Sequence, residues 1–312
     1  MTNTNIASQN CRVFLISFAV FATNAVIPTK SWAAEIPAND AAPAVDSFHE
    51  LETKYIFGFT SGADIGVPGE QAVEFETTTA SARRGGHYSN VEQEIEFEHV
   101  PTAWFGYELS AHGTSHTITG VEGLGDIHRT TFSGLSADLR FALVDRVPGS
   151  PIGLTFEVEP EWERVDGTSA GYTANYSTGF TLIADTELIP NRLYGAINVN
   201  YTPEIDRPVG SLAWQGVSST GLTGAIAYRI APKITIGDEL EYYRAYGGAL
   251  FNSFDGQALY DGPTLHIQFN SKMMLALAFS TEIAGHAVGD ARPLDLTNFE
   301  RYRGNMKFEI EF

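Results

Sequence analysis

The chain has 312 residues, 43% hydrophobic, 12% aromatic and 18% charged, with 30 Gly, one Cys and a formal net charge of −19. That composition excludes a disordered or collagen-like chain, and 38 acidic against 19 basic residues exclude a nucleic-acid partner, which needs a basic stripe to neutralise phosphates. A single Cys leaves no intrachain disulfide framework and no thiolate zinc site.

The first segment reads as an export signal. Arg12 precedes an apolar run from Val13 to about Ala22, and Ser31-Trp32-Ala33-Ala34 offers small residues at a cut site. A positive start, a short apolar core and a small-residue cut site predict a signal peptide over 1–33, cleaved after Ala33. The run falls short of the roughly 20 apolar residues that a membrane helix needs. Cys11 lies before the apolar core, so it is no lipoprotein acylation site. Arg12 and Lys30 leave with the signal, and the mature chain carries 17 minus 38, or −21. Residues 34–69 read as a flexible leader, rich in Ala and Pro to about residue 49 and in turn formers from Gly62 to Gly69. Leu51 to Phe59 alternates, which makes this stretch a candidate short strand or a plug.

From residue 70 to 312 the dominant rhythm has period two, the mark of strands with one apolar face. Leu135, Ala137, Leu139, Phe141 and Leu143 alternate with Ser136, Asp138, Arg140 and Ala142; Leu154, Phe156 and Val158 alternate with Thr155, Glu157 and Glu159. Tight turns near residues 101, 148, 190, 232 and 271 recur every 39 to 47 residues, and between them lie broad polar loops. Short turns at one end and long loops at the other are the asymmetry of an outer-membrane barrel. The pattern predicts strands over 70–83, 88–99, 103–117, 128–144, 152–165, 172–188, 193–204, 214–230, 234–246, 258–270, 273–287 and 299–312. The fold expected is all-β: a single transmembrane, antiparallel, up-and-down barrel of about 12 strands. An even number puts both ends on one side and lets the last strand close against the first, leaving no unpaired backbone edge in hydrocarbon.

Aromatics of outward parity cluster at both ends, Trp162, Tyr172, Trp214, Tyr246 and Tyr302 near the broad loops and Phe97, Phe105, Phe141, Phe269 and Phe312 near the tight turns. Such rings favour the two membrane interfaces. The last residue is Phe312, with Ile310 and Phe308 two and four places before it. This ending resembles the C-terminal assembly signal of bacterial outer-membrane barrels, which implies an outer-membrane location in lipid and recognition of the last strand by the barrel assembly machinery. The layout, with the run Asp64-Ile65-Gly66-Val67-Pro68-Gly69-Glu70 entering the first strand, also resembles the roughly twelve-stranded porins of the phenol-degradation meta-pathway type. That resemblance implies uptake of a small solute, with aromatic compounds among the candidates, and carries over no catalytic residues.

With the apolar parity facing lipid, the inner parity collects carboxylates: Glu92, Glu94, Glu96, Glu98, Glu108, Glu157, Glu159, Glu161, Glu163, Glu239 and Glu241 are the core of the set, and Arg140, Arg229 and Lys307 compensate in part. Carboxylate rings attract cations and repel anions, so a passive channel favouring cations is the expected function. Asp238 falls on the outward parity of its strand, for which a local bulge is the expected cause. His112, His116 and His128 share the inward parity, and a hairpin centred on Glu122 sets His116 opposite His128, a candidate site for zinc, copper or nickel. Ser110-Ala111-His112-Gly113-Thr114-Ser115-His116 is the nearest approach to an enzyme motif. Barrel phospholipases place Ser two residues after a membrane-facing His; here Thr114 follows a lumen-facing His112, and no enzyme or cofactor is expected. The alternative to a channel is a non-conducting barrel whose outer loops, with Trp214 and Phe251, serve adhesion or envelope integrity. Eight strands fill their own interior and 16–18 leave a water channel, so twelve leaves room that the leader can block.

Overall fold

The computed structural model describes residues 51–147 and 151–312. The expected signal, its cut site and the leader up to residue 50 lie outside the described residues, as does most of the tight turn near 148.

Alternation of apolar and polar side chains gives each strand one greasy face, and hydrocarbon tolerates such a sheet only when every ladder group is paired. The twelve strands among the described residues meet that demand by closing on themselves: β1 (Gln71–Ser81), β2 (His87–Thr102), β3 (Phe105–Thr119), β4 (Ile127–Val144), β5 (Ile152–Val165), β6 (Tyr172–Ile189), β7 (Leu193–Pro208), β8 (Gln215–Ala231), β9 (Ile234–Gly247), β10 (Ser253–Asn270), β11 (Met273–Ala287) and β12 (Tyr302–Glu311). Neighbours in sequence pair antiparallel, and β1 pairs β12 with Phe75 opposite Phe308 and Val73 opposite Ile310. No strand forms over Leu51–Phe59, because β1 and β12 occupy each other's edges.

The outside carries the apolar side chains. Ile95, Leu135, Ile197, Leu222 and Ile226 are each at least half exposed, the inverse of a soluble core and the arrangement that lipid rewards. Rings gather at both ends of this belt. Trp104, Phe105 and Phe141 meet at the short-turn end, with Phe105 and Phe141 centroids 5.2 Å apart; Tyr176 with Trp214 and Phe279 with Tyr302 meet near the broad loops.

Two places test parity. In β4 the register against β3 shifts between His112–Gly134 and Gly113–Phe132, leaving Ser133 bulged. A bulge adds one residue and turns the preceding side chains to the other face. By contrast, β9 runs without a shift past Asp238, which pairs Ile226 on one side and Pro263 on the other. The bulge expected there is absent: Asp238 faces outward within a regular ladder, and Asp261, opposite Leu240, lies diagonally beside it.

Candidate functional site

Residues 51–70 run through the lumen. Thr53, Lys54, Ile56, Phe57 and Thr60 are all buried, although a polar, Thr- and Gly-containing stretch has little reason to be so on its own. The barrel wall supplies the reason. Glu239 of β9 accepts from the Phe59 and Thr60 N–H groups at 3.1 and 2.9 Å. On β7, Asn198 accepts from Ser61 N–H at 2.7 Å and donates to Ser61 O at 2.9 Å. Asp185 of β6 accepts from Ala63 N–H at 3.0 Å and from the Thr53 hydroxyl at 2.5 Å. Thr155 of β5 donates to Ala63 O at 2.5 Å, and Arg140 of β4 donates to Gly62 O at 2.8 Å while pairing Glu157 at 2.7 Å. A lone strand buried without a ladder partner would strand its backbone groups. Here side chains of four consecutive strands, with β9, take the ladder's place.

Two further devices fix the segment. The Lys54 ammonium sits 2.9 Å from Glu98 of β2 and also pairs Glu108 of β3; Lys54 is 2% exposed and both glutamates 4%. Ile56 and Phe57 pack on Tyr194, Ala196, Ala225 and Ala227 of β7 and β8. Between these anchors Gly58 turns with φ +107°, and a Cβ there would fall 2.6 Å from Glu239 Oε1 and 2.7 Å from Ala278 Cβ. Only glycine meets both the left-handed backbone and the closeness of the wall. Arg303 of β12 completes the ring: it donates to Glu241 at 2.8 Å and lies 4.5 Å from the Phe59 ring centre.

The expected carboxylate face divides into two levels. Glu96, Glu98, Glu108, Glu239 and Glu241 are buried at the level of the internal segment. Glu92, Glu94, Glu157, Glu159, Glu161 and Glu163 are half-buried. Among the described residues Lys54 matches Glu98 and Glu108 of the lower set and Arg303 matches Glu241, as Lys307 matches Glu74 at 3.0 Å and Glu76 at 2.8 Å; Glu96 accepts from the Ser110 hydroxyl and Glu239 from backbone N–H groups. In the upper set only Glu157 has an Arg or Lys within 4 Å, and Glu92 and Glu94 face His112 at 3.2 and 3.7 Å. The sequence reading missed as partners Lys54, Arg303 and Arg146, the last pairing Asp185 at 2.6 Å and Asp64 at 3.1 Å. Lys54 lay in a segment read as leader, whereas the inward parity of Arg303, shared with Lys307, was available.

The histidines do not converge. His112 and His116 are inward and buried, but His128 is exposed and stands opposite Thr117, whose hydroxyl lies 3.0 Å from His128 Nδ1. The bulge at Ser133 corrects the expected inward parity of His128. His116 Nε2 donates to Gly167 O at 2.9 Å. His112 Nε2 lies 2.9 Å from the Ser136 hydroxyl, an array Ser136–His112–Glu92 that the sequence did not suggest. It has the order of a nucleophile–base–orienter relay, yet acyl transfer also needs donors for an oxyanion. The ladder engages Ser136 with Ser110 on one side and Glu161 on the other, and nearby Glu94 would repel developing negative charge. Phe308 and Ile310 lie half-buried on the outer face; Phe312 is 64% exposed, its N–H bonded to Gln71 O at 3.0 Å.

The COG4313 outer membrane channel from Pseudomonas putida F1 is similar in structure, with a TM-score of 0.53 at 14% identity, over 84% of this chain and 100% of that one. The β domain of the Bordetella autotransporter Brka is similar with a TM-score of 0.51 at 12% identity, over 78% and 100%. At such identities the likeness is one of fold, and with the apolar belt it makes this an outer-membrane barrel. No curated protein matches the chain in sequence. The model of the Family of unknown function (DUF6662) matches residues 49–312, the whole barrel with its internal segment, and the chain belongs to that family.

Proposed function

We propose that the protein is an outer-membrane channel for small hydrophilic solutes, closed by its own residues 51–70 and favouring cations when that segment leaves. One observation carries the reading: the wall holds the segment mainly through polar side chains aimed at its backbone. A permanent filling is favoured by apolar packing, because buried polar groups gain little net from pairing and lose much if unpaired. Wall groups such as Asn198, Asp185 and Arg140 pass from the segment to water at small cost, which suits a removable plug.

Size agrees. Twelve strands about 4.8 Å apart, tilted by about 40°, give a backbone radius of about 12 Å. A lining of side chains takes about 5 Å, half the spacing of packed sheets, and the bore that remains is about 7 Å in radius. That admits small hydrated solutes or one folded-back peptide. The half-buried Glu92, Glu94, Glu159, Glu161 and Glu163, five carboxylates with no Lys or Arg within 4 Å among the described residues and only His112 beside Glu92 and Glu94, supply the field that favours cations. In this reading the chain reaches the membrane by its cleaved signal, and the Phe308–Ile310–Phe312 strand is its contact with the assembly machinery.

Planar-bilayer recording tests the proposal. Mature protein should conduct rarely, and a variant lacking residues 35–69 should give steady steps whose reversal potential in a salt gradient favours cations. Silence from both would replace the channel by the non-conducting barrel, and an anion-selective reversal would remove the role of the carboxylates.

A further inference from the structure

At the short-turn end, where the internal segment begins, a cavity of about 200 Å³ opens between Glu52 and Tyr55 of that segment and His266, Glu309 and Glu311 of β10 and β12. Its walls gather carboxylates without basic partners. Several buried carboxylates of the lumen face a Lys or Arg, Glu98 and Glu108 facing Lys54, Glu74 facing Lys307 and Glu241 facing Arg303, while Glu239 is met by the Phe59 and Thr60 N–H groups. Around the cavity none of Glu52, Glu309 and Glu311 has a Lys or Arg partner within 4.0 Å among the described residues. Glu70, at the entrance to β1, adds a fourth carboxylate, and carboxylate oxygens of Glu52, Glu70 and Glu311 all lie within 4.8 Å of one another. Like charges brought together in a half-buried place repel unless a cation joins them.

A second, independent feature faces the same space. His266 is 3% exposed, and its Nδ1 is buried without a hydrogen-bond partner. The Tyr55 hydroxyl is likewise buried and unpartnered. Buried polar atoms gain from a partner, and these two, on side chains that line one acidic cavity, offer a guest hydrogen bonds that the protein itself does not supply. An ion alone is too small a guest. A cavity of about 150 Å³ holds a six-carbon ring, so this one holds a molecule of about six to eight heavy atoms.

We propose that this cavity binds a small organic dication, a short diamine or an aminoalkyl guanidine. One charged end lies among Glu52, Glu311 and Glu70, the other at Glu309, and N–H groups of the guest meet His266 Nδ1 and the Tyr55 oxygen. Three lining carboxylates favour two positive charges over one, and the volume sets the length. The site concerns the closed barrel and stands whether or not the channel conducts.

Isothermal titration of folded, detergent-solubilised mature protein with 1,4-diaminobutane in 150 mM salt tests it, with 1,4-butanediol and calcium chloride as companions. One equivalent of diamine should bind, the diol should give no heat, and calcium should not displace the diamine at equal concentration. Glu52→Gln and Glu311→Gln should each weaken binding at least tenfold, and His266→Ala should weaken it several-fold. Glu52 lies outside the ladder, so its variant keeps the barrel even if Glu311→Gln impairs folding; heat-shifted gel mobility checks both. Absence of diamine heat, binding at several equivalents that the substitutions leave intact, or displacement by calcium mole for mole would each overturn the proposal.

Discussion

Replacing Lys54 by Met should unlatch the internal segment. The ammonium pairs Glu98 at 2.9 Å and Glu108 on the adjacent strand, and all three side chains are at least 94% buried. Removing one member of a buried ion pair strands the other, at about 3–5 kcal/mol. That cost falls on the closed state, since Glu98 and Glu108 regain water once the segment withdraws. At about 1.4 kcal/mol per factor of ten, the closed-to-open ratio should drop by roughly two to four orders of magnitude. Single-channel recording reads this as a rise in open probability of Lys54→Met over the parent chain, with unchanged step size. Removing all members of such a cluster is often nearly neutral, so Lys54→Met/Glu98→Gln/Glu108→Gln should close again, and the difference measures the coupling directly. If Lys54→Met is as quiet as the parent while the triple variant opens more, the latch is elsewhere and the reasoning fails.

Three other outcomes follow from particular residues. Asp238→Leu removes one of two diagonal carboxylates from the lipid face, and should stabilise the barrel by about 1–3 kcal/mol in denaturant titrations in bilayers; a loss of stability would show that Asp238 has a partner there. Gly262→Ala would place a Cβ 1.8 Å from the Phe279 carbonyl oxygen of β11, so it should cost about 3 kcal/mol and reduce the folded band on gels, whereas Gly125→Ala, with nothing within 4 Å, should be silent. The outer loops should loosen in acid. Hydrogen bonds from Arg292 hold two carboxyls below their ordinary values, Glu122, tied across the loops at 2.8 Å, and Asp290, pulled down from 3.8 to about 2. A carboxylate with a lowered folded-state value contributes above its ordinary value and loses that contribution as the pH falls through the folded one. The distance between spin labels at positions 125 and 291 should therefore hold at pH 6 and spread between about pH 4 and pH 2; a spacing constant to pH 2 would refute the tie.

The barrel was legible because its signal is repeated. Each strand states the same alternation, and a slip of one residue would turn Glu94, Glu96 and Glu98 into hydrocarbon, so parity in the carboxylate-rich strands is set by many residues at once. Where the structure departs from the reading, a single residue decided the matter. Ser133 is an unremarkable polar residue in a polar stretch, and nothing in Thr131-Phe132-Ser133-Gly134 tells which of two faces each side chain takes. The bulge there moves His128 outside and separates it from His112 and His116. Asp238 shows the opposite error: a carboxylate on the lipid parity suggested an irregular backbone, whereas the ladder is regular and the charge itself is the exception.

The internal segment was illegible for a different reason. Its contacts from Phe59 to Asp64 are made largely through its backbone, with Glu239, Asn198, Asp185, Thr155 and Arg140 reading N–H and C=O groups that every sequence possesses. Side-chain identity matters at particular places: Lys54 for charge, Ile56 and Phe57 for apolar anchorage, Gly58 for its left-handed turn, Gly62 for its closeness to the Thr53 backbone and Asp64 for its carboxylate, bound by Thr53 and Arg146. A segment recognised through its backbone leaves almost no trace in its own residue pattern. The trace lies in the wall, as an inward face too rich in hydrogen-bonding groups to serve water alone. It follows that Ser61, held through its N–H and C=O by Asn198, should tolerate substitution more readily than Asn198 itself, and that the specificity of closure rests on Lys54, Gly58, Gly62 and Asp64.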